Sequence, residues 1–150
     1  MVDAGGAFSK APTVPDATRR QAELKAELQV MSLVADGLHA FVPGKDDLAL
    51  GTAFLRRMID EHKLPVLAAN LTCDGQTFDG TRVVVAGGRK VGLIGLAGPG
   101  LRVCAVSDPA AALTESLAAL GPVDVTVLVV NAERAELEAL KKGALRKRAV

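Results

Sequence analysis

Apolar positions recur along this chain with two alternating periods, and the alternation predicts helices and strands in turn. From Ala17 to about Ala35, good helix formers carry Ala22, Leu24, Leu28, Met31 and Val34 at spacings that approximate one helical face, with Asp16 placed to cap the start. Leu38 to Val42 is short and apolar and stops at Pro43-Gly44, which reads as a buried strand; Asp46 or Asp47 then caps a helix reaching about Glu61. Pro65 to Leu71 reads as a further buried strand. Arg82 to Ala86 and Lys90 to Leu96 are β-rich runs joined across Gly87-Gly88, a pair suited to the positive backbone angles of a tight antiparallel hairpin.

Ser107 or Asp108 caps the next helix, which Pro109 opens at its first position and Gly121-Pro122 stops. Val123 to Val130 is apolar enough to be a central strand buried on both faces, and Ala132 to Lys142 has the pattern of a charged amphipathic helix followed by a basic tail. The opening residues, with Gly5-Gly6 and then Pro12 and Pro15, read as a strand end followed by a loop. The expected fold class is α/β, a mixed sheet with covering helices. No internal repeat or low-complexity segment divides residues 1–150, so one domain or part of one is expected.

Composition narrows the functions such a fold can have. Lys+Arg 18 against Asp+Glu 17 leaves a net charge of +1, too little field for a dedicated nucleic-acid or anionic-membrane surface. Phe8, Phe41, Phe54 and Phe78 are the only aromatics, so stacking platforms for bases or sugar rings are nearly absent. No stretch approaches the about 18 apolar residues of a membrane span, and the N-terminus lacks the basic start and apolar run of a signal peptide. Cys73 and Cys104 can form at most one disulfide; their spacing fits neither a redox pair nor a zinc ribbon, and the ordinary expectation is two small apolar residues.

Common catalytic signatures are missing, including the phosphate loop, H-E-x-x-H and G-x-S-x-G, and His39 and His62 are expected to be structural. The glycines of G-L-I-G-L-A-G-P-G lie on a hairpin strand and do not open a helix, so they are a weak dinucleotide signal. The polar residues left over sit at expected strand ends: Asp3 with Gly5-Gly6, Lys45-Asp46-Asp47, Asn70 and Asn131. In open α/β sheets the loops at the carboxyl ends of strands converge on one crevice. The plainer alternative is that Asp46 and Asp47 only cap a helix and Asn131 only precedes one.

The order of D-A-G-G, then L-H-A-F-V-P-G-K-D-D-L-A-L-G, L-P-V-L-A-A-N-L, R-K-V-G-L-I-G-L, D-P-A-A-A-L and V-D-V-T-V-L-V-V-N resembles the metallophosphoesterase domain of bacterial 5'-nucleotidases and UDP-sugar hydrolases, a calcineurin-like family. The resemblance covers nearly the whole chain and implies a two-metal hydrolase of nucleotides or similar phosphate esters. It also implies that the ligand positions are changed. Gly6 stands where the family's D-A-G-D has its bridging carboxylate. Lys45 and Asp46 stand at the ligand Asn and catalytic His of G-N-H-E, and Asn131 stands at a ligand His. The family's first D-x-H would precede Met1 and its G-H-x-H would follow Val150, so the expected unit is a partial domain, either a fragment or a cut-down relative that must cover open sheet edges. Family members are commonly exported, which implies a periplasmic or cell-surface location for a full-length parent.

Three readings follow. The first is a degenerate or truncated domain without two-metal hydrolysis and with no cofactor, in which Lys45 replaces a metal's charge and pairs with Asp3 or Asp46. The second is a rewired hydrolase, with Asp46 at the catalytic position and Asp3, Asp46 and Asp47 as hard ligands for Mg²⁺ or Mn²⁺; the family pattern would also admit Zn²⁺. The third is a non-catalytic binding or assembly module that self-associates through open sheet edges.

Overall fold

A computed structural model of the chain describes residues 1–142. Its strands fall into three small sheets. β1 (Val2–Asp3) lies parallel to β2 (Ala40–Phe41), and the chain between them forms α1 (Asp16–Ala35). α2 (Thr52–His62) follows, then β3 (Leu71–Cys73) and β4 (Gln76–Thr77). β5 (Thr81–Ala86) and β6 (Arg89–Ala97) form the expected hairpin; Ala86 pairs with Arg89, and Gly87 and Gly88 take φ of 57° and 76°, angles that a side chain would resist. β7 (Cys104–Val106) pairs with β3, and β8 (Val125–Asn131) runs parallel to β6 after α3 (Pro109–Ala119). α4 (Arg134–Leu140) closes the described part; the basic tail lies outside it.

The segment expected as a strand over 65–71 makes only one bridge, Phe41 to Val66, before β3 begins. Its hydrogen bonds go to different partners: Leu67 N–H donates to Phe41 O, Ala68 N–H to Asp79 O and Ala69 N–H to Gly95 O. A strand ladder needs consecutive residues bonded to one neighbour, and here the backbone turns from β2 toward β6 within three residues. This segment therefore joins the β1–β2 pair to the β5–β6–β8 sheet.

β8 also differs from expectation. Only Val129 is fully buried along it, because β6 occupies the centre of its sheet and β8 is an edge among the described residues. The helix α1 buries Ala26 and Val30, with Ala22, Leu33 and Val34 packed beside them, while Leu24, Leu28 and Met31 are exposed. Nearly equal apolar content on both sides of the helix hid the choice, which tertiary packing makes. Asp16 falls in the first turn, Pro15 being the cap. Asp108 caps α3 as expected, accepting from Ala110 and Ala111 N–H at 3.4 and 3.0 Å, with Pro109 beside it.

Cys73 and Cys104 stand directly opposite in the β3–β7 pair and form a disulfide, with Cα atoms 4.4 Å apart. Their spacing of 31 residues in the chain carried no such signal; the register of two distant strands creates it. α1 and α2 are tied by Glu27, which meets His62 Nε2 at 2.9 Å and Arg57 at 3.6 Å. The hydrogen bond from His62, with Arg57 helping, holds the Glu27 carboxyl below its ordinary value of 4.5.

Two outcomes test this packing. Replacing both cysteines by serine releases a loop of about 30 residues and is expected to lower stability by about 3–4 kcal/mol in urea unfolding, by loop-closure entropy. Because the folded-state pKa of Glu27 is depressed, its contribution is present above pH 4.5 and is lost as pH falls through the lower folded value. The stability gap between the wild type and Glu27→Gln is expected to shrink as pH falls through that acid range.

Candidate functional site

The carboxyl ends of β1, β2 and β8 meet, and a buried carboxylate joins the first two. Asp47 is 0% exposed. Its Oδ2 accepts from Gly6 N–H at 2.7 Å and Gly44 N–H at 2.8 Å, and its Oδ1 from Ala7 and Phe8 N–H at 2.8 and 2.9 Å. Burial pushes the Asp47 carboxyl above its ordinary value of 3.8, while the four N–H donors pull the other way. Asp47 starts a short 3-10 turn over Asp47–Leu50, and Gly51 separates that turn from α2. Neither Asp46 nor Asp47 thus caps the long helix: Asp46 makes no capping bond, and Asp47 reaches back across the chain.

The loop held by Asp47 is anchored a second time by Phe8, whose ring stacks on Phe41 at 5.1 Å and meets Phe54 edge-on at 5.7 Å. Three of the four aromatics in the chain thus seat the loop that ends β1.

Asn131, at the end of β8, donates its amide to Ala4 O. A Cβ at Gly44 would lie 2.5 Å from the Asn131 amide nitrogen, and one at Gly5, where φ is 86°, would lie 2.8 Å from it and 2.7 Å from Asp47 Oδ2. Both glycines are required by this approach of β8 to the other two loops. Asp3 turns onto its own loop, accepting from Gly5 N–H at 2.7 Å. Lys45 points to Glu133 instead of Asp3 or Asp46, at 3.7 Å in an exposed pair worth at most about 1 kcal/mol. Among the described residues Asp46 stands alone: its Oδ1 is shielded from solvent and has no hydrogen-bond partner there. Asn70 is spent elsewhere, bonded to both Ala97 N–H and Ala97 O and joining the end of β6 to the 107 region.

The residues expected from sequence are therefore neighbours, but Asp47, Asn131 and one oxygen of Asp3 are committed to the main chain, while Asp46 is not. Gly6 has no side-chain donor, all the acceptance of Asp47 goes to backbone N–H groups, and the amide of Asn131 holds Ala4. This set does not fit a two-metal centre, which needs free bridging and terminal donors. Among the described residues, the one trio of acidic and imidazole groups with ligand atoms within 4.8 Å is Glu27, Glu61 and His62 on the helices; Asp3, Asp46 and Asp47 do not form such a trio. Arg57 pairs with Glu27 of that trio at 3.6 Å. Sequence reasoning missed Glu133, Arg19 and Arg102, which reach the site region from distant segments.

No protein-family model matches the chain, and no curated protein matches it. Solved structures do. The chain superposes on the sulfate thiohydrolase SoxB of Thermus thermophilus with a TM-score of 0.74 at 16% identity, over 95% of this chain and 27% of that one. A 5'-nucleotidase precursor, also from Thermus thermophilus, aligns with a TM-score of 0.69 at 25% identity, over 93% and 29%. The calcineurin-like phosphoesterase YfkN from Bacillus subtilis aligns with a TM-score of 0.65 at 19% identity, over 87% and 47%. The chain has a metallophosphoesterase-like α/β fold and spans between about a quarter and a half of the length of these structures.

Two variants probe the loop junction. Asp47→Ala leaves four N–H groups without their acceptor and is expected to cost at least about 3 kcal/mol in urea unfolding. Gly44→Ala is expected to destabilise the wild type more than it destabilises an Asn131→Ala protein, since the added methyl meets the Asn131 amide; a double-mutant cycle measures the difference.

Proposed function

We propose that this chain is a metallophosphoesterase-like domain that does not hydrolyse phosphate esters by the two-metal route. The observation that carries the reading is the use of the loop-end polar groups as main-chain fasteners, above all Asp47 with its four N–H donors. A side chain that closes the loops in this way holds the crevice in shape without a cation between them. Chemistry at a phosphoryl centre needs charge placed where it develops in the transition state, and Lys45 in an exposed pair with Glu133 is not so placed. Nucleotides or other phosphate esters remain the natural class of ligand for the scaffold.

A rewired hydrolase has one observation in its favour, the unpartnered Asp46 oxygen, which could take a proton or one Mg²⁺, Mn²⁺ or Zn²⁺ ion. An assembly role is favoured by the outer edge of β8, which has no strand partner among the described residues and would pair with a second copy. An oxidising compartment, periplasmic or cell-surface, suits the disulfide. No helix among the described residues is long and apolar enough to cross a membrane.

Hydrolysis of a generic phosphate monoester by the chelator-treated chain, before and after addition of Mn²⁺, Mg²⁺ or Zn²⁺, tests the reading. No turnover above buffer is expected in any condition. Metal-dependent turnover abolished by Asp46→Ala would replace this reading with the rewired hydrolase.

A further inference from the structure

Glu27 on α1 and Glu61 and His62 on α2 bring two carboxylate oxygens and an imidazole nitrogen within 4.8 Å of one another. None of the three belongs to the loop ends gathered by Asp47. Glu27 and His62 are 35 residues apart in the chain and meet because the two helices pack against each other. Both are half-buried, whereas Glu61 is exposed.

The spacing is that of a coordination shell already partly assembled. Bonds of about 2.0–2.2 Å from Zn²⁺ to imidazole nitrogen and carboxylate oxygen put neighbouring ligand atoms about 3–3.5 Å apart. His62 Nε2 and Glu27 Oε1, at 2.9 Å, stand near that separation, and the exposed Glu61 side chain closes on them by rotation alone. The proton of the His62–Glu27 hydrogen bond occupies the place that an ion would take.

Two features outside the trio favour a cation here. Arg57 holds the other oxygen of Glu27, Nη2 to Oε2 at 3.6 Å, while its guanidinium lies 5.2 Å from the centroid of the Phe54 ring. A carboxylate gripped on one oxygen presents the other in a fixed direction, which is how outer partners orient metal ligands. Arg57 offsets one of the two carboxylates, so with a neutral imidazole the group keeps one negative charge. Glu61 and His62 are also the last two residues of α2, at the helix end where the backbone dipole attracts cations. Lys63, which follows, is already engaged with Asp60 O at 2.7 Å.

We propose that Glu27, Glu61 and His62 form a binding site for one transition-metal ion of the Zn²⁺ type, which staples α1 to α2 with water completing the shell. A nitrogen donor beside two carboxylates selects such an ion over Mg²⁺, which takes oxygen ligands. The site is structural and independent of the loop ends, so it stands whether or not the crevice hydrolyses anything.

Calorimetric titration of the full chain, freed of chelator in a non-coordinating buffer, with Zn²⁺ and Mg²⁺ as separate probes, tests it. One equivalent of Zn²⁺ is expected to bind and to raise the midpoint of urea unfolding, and Mg²⁺ to bind at least about tenfold more weakly. His62→Ala is expected to weaken Zn²⁺ binding by about a hundredfold or more, and Glu61→Gln by about tenfold. Glu61 is exposed, so its variant folds even if loss of the His62–Glu27 contact upsets the helix pair. The Met1 amine lies 3.0 Å from His39 Nδ1 and is the rival locus, so His39→Ala is expected to leave the affinity unchanged. Absence of Zn²⁺ binding, binding unchanged by Glu61→Gln, or binding lost in His39→Ala would overturn the proposal.

Discussion

The carboxylate of Asp47 is the constraint on which the arrangement of this site depends. A buried anion is costly unless its lone pairs are filled, and here they are filled entirely by the backbone of two loops. The loop after β1 must then present three successive N–H groups inward, at Gly6, Ala7 and Phe8, and the turn after β2 must present Gly44 beside them. Phe8 makes that geometry doubly determined, because the residue whose N–H meets Asp47 also buries its ring on Phe41. Close approach of the loops leaves room for Asn131 only if positions 5 and 44 lack a side chain.

The larger architecture delivers these loops to one place. β1 and β2 run parallel, β6 and β8 run parallel, and the irregular segment around Val66 to Ala69 bonds to both groups. Parallel strands put their carboxyl ends together, so the chain's turns after β1, β2 and β8 meet. The neighbouring 100–103 loop is tied in from the other side by the disulfide to β3. What shapes this crevice is backbone hydrogen bonding, which is set separately from the few side chains on which any chemistry would depend.

Much of this was legible in the sequence wherever a signal was local. Asp108-Pro109 marks its helix start, Gly87-Gly88 marks its hairpin, and the order of apolar runs marks the α/β class. The convergence of Asp3, Asp47 and Asn131 followed from their places at strand ends. What was illegible depends on partners distant in the chain. The face of α1 chosen from sequence, carrying Leu24, Leu28 and Met31, is exposed, because those residues are as apolar as the ones that packing buries and periodicity alone does not separate the two. β8 read as central because its composition says nothing about whether another strand lies beside it. Asp47 looked like a helix cap because capping and loop bridging use the same side chain, and only the position of Gly6 to Phe8 in space distinguishes them.

The central claim is that protein hydrogen bonds alone close the crevice. Amide hydrogen exchange at Gly6, Ala7, Phe8 and Gly44, followed residue by residue in the metal-free chain, tests it most directly. The account predicts that all four amides are protected in chelator and that added Mn²⁺ leaves their rates unchanged. Free exchange in chelator with protection only after Mn²⁺ is added would contradict it, and would show that a metal ion, rather than Asp47, holds these loops together.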